Sequence, residues 1–294
     1  MRKFLVKTLM MVIVSALSLA AGYYALFLLR GARADPVVPY VIAKAGNFSG
    51  KPSVIFGDSV CAQFWPARND SPNICHLSSN QAITTAGNYL LLKKYLEHNQ
   101  QTKNVYYLIK PQSLCNDMDL YLTYQYFVIP FFNDDWKKFI DDETKQDVYS
   151  KFGKFFCESD YIKCVLSYNK LLKEKYLSCI LCASGLIVDN SAGYYIQKRS
   201  LSRTAIIYLK KMNELCTEYG AIFHVLPLPL RNKADSYGWD KFADDVKLNG
   251  LENIIGSFVQ NINYYPDSWF SDGVHFKKEI LDAHSDDIRA SVMK

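Results

Sequence analysis

Beyond residue 50 the chain alternates short apolar runs with longer stretches of helical periodicity. The runs Ser53 to Phe56, Asn73 to Leu77, Val105 to Ile109 and Ala221 to Leu226 have the length and β-branched or aromatic content of buried strands. Between and after them, apolar residues at helical spacing predict a helix from Val60, a longer one over Ala82 to Asn99, and others over Arg203 to Tyr219, Asp240 to Leu248 and Phe276 to Val292. A further short strand is expected at Ile262 to Tyr265. Strands that alternate with helices predict an α/β fold, a parallel sheet covered on both faces. In such sheets the reactive groups gather at the carboxyl ends of the strands.

Two segments depart from this rhythm. From Gln112 to about Ser200 the pattern becomes aromatic, "YLTYQYFVIPFF", and then Lys-rich, which predicts a helical insertion over about 112–200. Its Tyr121, Tyr124, Tyr126, Phe127, Phe131, Phe132 and Trp136 are expected chiefly as core; a lid, a docking face or a sugar platform are the alternatives. At the other end, Leu9 to Leu29 carries no charge and follows Arg2, Lys3 and Lys7. As a helix, this run reaches about 30 Å, the thickness of a bilayer's hydrocarbon core. It is expected to be a signal anchor, with residues 1–8 cytoplasmic, 9–29 transmembrane, 30–50 a linker and 51–294 the main domain. Gly31 to Pro52, with three prolines and three glycines, reads as a tether. Cleavage at Ala32-Arg33-Ala34 is the competing expectation. Either way the domain is exported.

Composition narrows the picture modestly. A chain of 294 residues with 49% hydrophobic and 21% charged residues can bury a substantial core. The net charge of +5 is spread along the chain, which argues against a nucleic-acid partner. Eight cysteines fit an exported domain. Cys157, Cys164, Cys179, Cys182 and Cys216 are the candidates for disulfides, and Cys61 and Cys75 are expected as small buried hydrophobes. "CILC", Cys179 to Cys182, lacks the strand-to-helix context of a redox site. Neither a metal nor a cofactor is expected.

The candidate chemistry begins at "SVIFGDSVCAQFW", where Gly57-Asp58-Ser59 ends the first strand. Asp and Ser are favoured helix N-caps, so the motif alone also fits a turn. As a nucleophile, Ser59 needs a base. His275 in "WFSDGVHFKKE" has Asp272 three residues earlier in a Gly-containing loop, a spacing that can set the carboxylate on one imidazole nitrogen and leave the other for a serine. His76, His98, His224 and His284 show no ligand spacing and are expected to be structural or solvated. Asp58 is expected to organise the nucleophile loop by hydrogen bonding.

Together "GDS" at Gly57 to Ser59 and "DGVH" at Asp272 to His275 resemble the SGNH, or GDSL-like, hydrolase superfamily, over roughly residues 51–294 with one large insertion. The resemblance implies a flavodoxin-like three-layer α/β/α fold, with Ser59, His275 and Asp272 as nucleophile, base and orienting acid. The two intermediate motifs of the family depart from its pattern. Where a glycine is expected after the second strand this chain has "HLSSNQAIT", and where Gly-x-Asn-Asp is expected after the third it has "IKPQSLCND". The oxyanion candidates are therefore the backbone of Ser59 with Asn80 or Gln81, and Gln112 or Asn116. In architecture the chain is similar to membrane-anchored envelope acyl-transfer proteins, the group of the teichoic acid D-alanyl-transfer and alginate O-acetylation proteins. That likeness implies an envelope carbohydrate substrate and a multispanning membrane O-acyltransferase as partner. It leaves a catalytically silent scaffold as the alternative to a serine esterase or O-acyltransferase.

Overall fold

The computed structural model describes residues 2–29, 37–116, 118, 123–159, 200–232 and 239–294. Helix α1, Arg2–Leu29, is long and apolar enough to cross a membrane, with a mean hydropathy of 2.1 over Lys3–Gly22. Phe4, Leu9, Met11, Leu17 and Leu19 on it stay more than half exposed, so its apolar surface is not consumed by the rest of the described chain.

The tether expected over Gly31–Pro52 is partly helical instead. Helix α2, Val37–Ala45, buries Val38, Val41 and Ala45, an apolar stripe at helical spacing. Pro39 is tolerated in its first turn, where backbone N–H groups have no intrahelical acceptor.

Four strands follow in the expected places: β1, Ser53–Gly57; β2, Ile74–His76; β3, Asn104–Ile109; and β4, Ile222–Pro227. All pair in parallel, in the order β2-β1-β3-β4. The register runs from Ser53 opposite Asn104 to Gly57 opposite Leu108, and from Asn104 opposite Ile222 to Ile109 opposite Pro227. Because the chain moves outward from β1 to β2 and then returns to place β3 on β1's other side, the β1 and β3 exits flank a topological switch point. Gly57 occupies that junction; a Cβ there would lie 1.8 Å from the Leu108 carbonyl oxygen.

The helices that frame the sheet and the site are α3, Ser59–Phe64; α4, Thr84–His98; α5, Pro111–Leu114; α6, Asp142–Phe152; α7, Arg203–Glu218; α8, Asp240–Leu248; and α9, Lys278–Val292. Strand alternation sorts the core into two faces. Val54, Phe56, Val105 and Tyr107 pack against α4 and α7, while Ile55 and Leu108 pack against Val60, Cys61 and Phe64 of α3 and Ile288 of α9. Helices thus cover both sides of the parallel sheet. Each such side chain buried adds about 1.5–3 kcal/mol of hydrophobic stabilisation.

The short strand expected near Ile262 reduces to Tyr264–Tyr265, and it pairs with Leu230–Arg231 in a separate two-stranded sheet rather than joining the main one. Of the insertion's aromatics, Tyr124, Phe127, Phe131 and Phe132 form a second core with Ile83 and Leu90. Arg203 of α7 ion-pairs with Glu143 and Asp147 of α6 and fastens this core to the sheet domain. Tyr121, Cys164, Cys179, Cys182 and residues 160–199 of the expected insertion lie outside the described residues. Cys61 and Cys75 are buried free thiols, and Cys216, one of the disulfide candidates, is a buried free thiol as well.

Candidate active site

Ser59 sits at the first position of α3, two residues past the end of β1, and is half-buried. Asp58 builds this turn. Fully buried, it caps α3 by accepting from the backbone N–H of Val60 at 3.0 Å and of Cys61 at 3.3 Å. Its second oxygen accepts from the Lys110 N–H at 3.1 Å and the Ser113 hydroxyl at 3.0 Å, both beyond the end of β3. One carboxyl group therefore ties the two exits flanking the switch point. This is the organising role expected of it, with reach across the sheet added.

The imidazole that faces Ser59 arrives from 216 residues away in sequence. His275 Nε2 lies 2.8 Å from Ser59 Oγ, and His275 Nδ1 lies 2.7 Å from Asp272 Oδ2. The other Asp272 oxygen accepts from the backbone N–H groups of Val274 at 3.1 Å and His275 at 2.8 Å. This closed turn needs the left-handed backbone of Gly273, whose φ is 85°. Partial burial pushes the Asp272 carboxyl up. The His275 and Val274 hydrogen bonds outweigh it and hold that carboxyl below its ordinary value. An ionised Asp272 accepts a hydrogen bond from Nδ1–H, the tautomer that leaves Nε2 unprotonated and facing the serine hydroxyl. The arrangement is that of a nucleophile, a base and an orienting acid in line.

The His275 loop is held from several sides. Ser271 N–H donates to the His275 carbonyl at 2.8 Å, Lys277 N–H donates to the Trp269 carbonyl at 2.8 Å, and Phe270 bridges Phe276. Phe276 is buried against Phe64 of α3, ring centroids 5.3 Å apart. The Gln63 side chain on α3 makes two hydrogen bonds to the Phe276 backbone, each 3.0 Å.

The loop after β2 also reaches the site. Ser79 N–H donates to the Gly57 carbonyl at 3.1 Å. Asn80 uses its side-chain oxygen to cap the following 3₁₀ turn through Ala82 N–H at 2.9 Å, which leaves its amide NH₂ as the donor. Gln81 Oε1 lies 3.1 Å from the Ser113 hydroxyl, one hydrogen bond removed from Asp58. Gln112 lies in α5, its side-chain oxygen buried with no hydrogen-bond partner, and Asn116 is half-buried beyond that helix. Ser59 Oγ is hydrogen-bonded to His275 and to none of these amides. The line Ser59, His275, Asp272 is thus assembled, whereas the four amide candidates surround the strand exits without converging on the hydroxyl. Ser113 and Gln63 belong to no motif in the sequence; the i, i+4 spacing of Gln63 from Ser59 on one helix is the only signal of its place.

The other histidines have structural surroundings. His76 is buried with Nε2 3.1 Å from Ser71 Oγ, His224 stacks on Tyr106, His284 stacks on Trp269, and His98 bonds the Lys94 carbonyl. Among the described residues no group of three or more His, Cys, Asp or Glu is placed to hold a metal ion.

Fold and site together define an α/β protein with a Ser-His-Asp line at the carboxyl ends of a parallel sheet. Comparison with protein families, with curated proteins and with solved structures returns no match for the chain.

Proposed function

We propose that the protein is a serine acyl-transfer enzyme. More particularly, we read it as a membrane-anchored SGNH-type esterase or O-acyltransferase whose domain works outside the cytoplasm on acyl esters, acetyl foremost, of an envelope polysaccharide. The observation that carries this reading is the continuous hydrogen-bonded line from Ser59 through His275 to Asp272. Three further features support it: the strand order around the switch point, the GDS and DGVH motifs at the two ends of the domain, and an N-terminal helix long enough for an anchor.

In this mechanism Ser59 Oγ attacks the acyl carbon while its proton passes to His275 Nε2. Asp272 holds the ring and stabilises the imidazolium without taking the proton. The oxyanion is met by the Ser59 backbone N–H, which as a first-turn donor has no helical acceptor, with an amide from Asn80, Gln81, Gln112 or Asn116. His275 then protonates the departing alcohol, and an acyl-serine remains. Water completes hydrolysis; a carbohydrate hydroxyl, deprotonated by the same histidine, completes transfer. A multispanning membrane O-acyltransferase is the partner that fits the transfer route.

A silent scaffold that tethers a polysaccharide or such a partner is the second reading. The departure of the intermediate motifs from the family's pattern favours it. The two are separated by treating the detergent-solubilised full chain with a fluorophosphonate and measuring intact mass. A single adduct, lost in Ser59→Ala and in His275→Ala, is expected. A folded parent that takes no adduct contradicts the enzyme reading.

A further inference from the structure

We propose that Gln63 is a positioning residue that sets the Ser59–His275 distance by gripping the backbone beside the histidine. The inference rests on the catalytic reading of that pair.

Gln63 lies four residues after Ser59 in α3, one helical turn along the same face, about 6 Å further along the axis. Its Nε2 donates to the Phe276 carbonyl at 3.0 Å, and its Oε1 accepts from the Phe276 N–H at 3.0 Å. Phe276 immediately follows His275. The side-chain amide therefore acts as a short piece of strand: a donor and an acceptor at fixed spacing meet the acceptor and donor of one residue. Such a two-point contact fixes translation and rotation of the peptide together.

The other links between α3 and this region differ in kind. Phe64 and Phe276 meet through their rings, and apolar contact resists separation while being non-directional, so it permits sliding. Arg289 of α9 donates to the Phe64 carbonyl at 2.9 Å and fastens the far end of α3, without touching the His275 loop. The Ser59–His275 bond is itself given up as the proton moves during attack. Gln63 supplies the directional link that stays intact through that step.

Glutamine suits the position specifically. Asparagine presents the same amide one methylene short. An ionised glutamate keeps the bond from the Phe276 N–H and opposes an anionic oxygen to the Phe276 carbonyl. Methionine fills the space and makes neither bond.

The test compares the parent full chain in detergent with Gln63→Met and Gln63→Glu, each first shown folded by its unfolding transition. Two rates are read: 4-nitrophenyl acetate turnover, and fluorophosphonate labelling, in which an Oγ–P bond forms, the P–F bond breaks, fluoride leaves and the serine proton goes to His275. A displacement of about 1 Å at a reacting pair costs on the order of 10²-fold in rate. Gln63→Met is expected to lower kcat and the labelling rate by about 10- to 100-fold with KM within about twofold of the parent, and Gln63→Glu to fall between. A purely structural role lowers the unfolding midpoint and leaves kcat per folded molecule unchanged. Parental kcat and labelling in either folded variant overturn the proposal while the catalytic reading stands. A parent that neither labels nor turns over overturns the catalytic reading, and the positioning role with it.

Discussion

Replacing Asp58 by alanine tests how the turn that carries Ser59 is held. The substitution removes an N-cap that serves Val60 and Cys61, and loss of such a cap costs about 1 kcal/mol. It also leaves the Lys110 N–H, at the buried end of β3, without its acceptor, which costs about 1–3 kcal/mol. Ser113 loses less, since Gln81 Oε1 lies 3.1 Å from its hydroxyl and accepts its hydrogen bond. The sum is roughly 2–4 kcal/mol, a large share of the about 5–15 kcal/mol that stabilises a typical domain. Asp58→Asn keeps one oxygen for the cap and turns an NH₂ toward the Lys110 N–H, so it recovers only the cap's share. Urea unfolding of the full chain in detergent, followed by tryptophan fluorescence, reads both values from the shift of the midpoint at constant slope. A loss below about 1 kcal/mol for the alanine variant, or an asparagine variant equal to the parent, would refute the assignment of the Lys110 bond as part of the turn's support.

Other consequences are open to measurement. Gly57→Ala places a methyl group against the Leu108 carbonyl and must separate β1 from β3, so a drop of several degrees or more in melting temperature, or failure to fold, is expected. Burial holds His76 below its ordinary pKa, against the opposing pull of Asp70, and burial does the same to His224. In the window between each folded value and the unfolded value near 6.5, the unfolded chain binds more protons. Stability is therefore full above that window and falls as pH drops through it, and an unfolding midpoint independent of pH across it would contradict the assignment. Asp272, lowered in the folded state, adds stability that is present above about 3.8 and lost as pH falls through its folded value. Burial raises Cys75 to about 11 and Cys216 to about 12, and raises Cys61 further, so these three thiols should resist a thiol-exchange reagent at mildly alkaline pH until the protein is unfolded. Rapid native modification of any one of them would place it in a more open setting.

The strands and the hydrogen-bonded line of Ser59, His275 and Asp272 were legible for a shared reason. β1 is buried at all five positions, so it reads as an uninterrupted apolar run, and β3 and β4 pair with it or with each other along most of their length. Gly57 and Gly273 mark two places where the backbone needs what glycine permits easily, a close approach and a positive φ; the first stands two residues before Ser59 and the second two residues before His275. Helix α2 was hidden because prolines and glycines around it resemble a tether, while its stripe of Val38, Val41 and Ala45 spans only two turns. The two-residue strands at Leu230 and Tyr264 are too short for any periodicity to register. The amide candidates failed to sort themselves because Asn, Gln and Ser bond local backbone and loops as readily as substrates, and composition does not distinguish the two. Gln63 was invisible because the partner it grips is backbone, 213 residues away.

The most direct measurement is the site of acylation. The full chain in detergent is mixed with 4-nitrophenyl acetate, quenched in acid within the first turnover, digested and mapped by mass spectrometry. An acetyl group on Ser59 in the parent, slower acylation in His275→Ala, and loss of turnover and adduct in Ser59→Ala are the expected results. Turnover that persists in Ser59→Ala, or an acetyl group carried on another residue, would contradict the proposed role of Ser59.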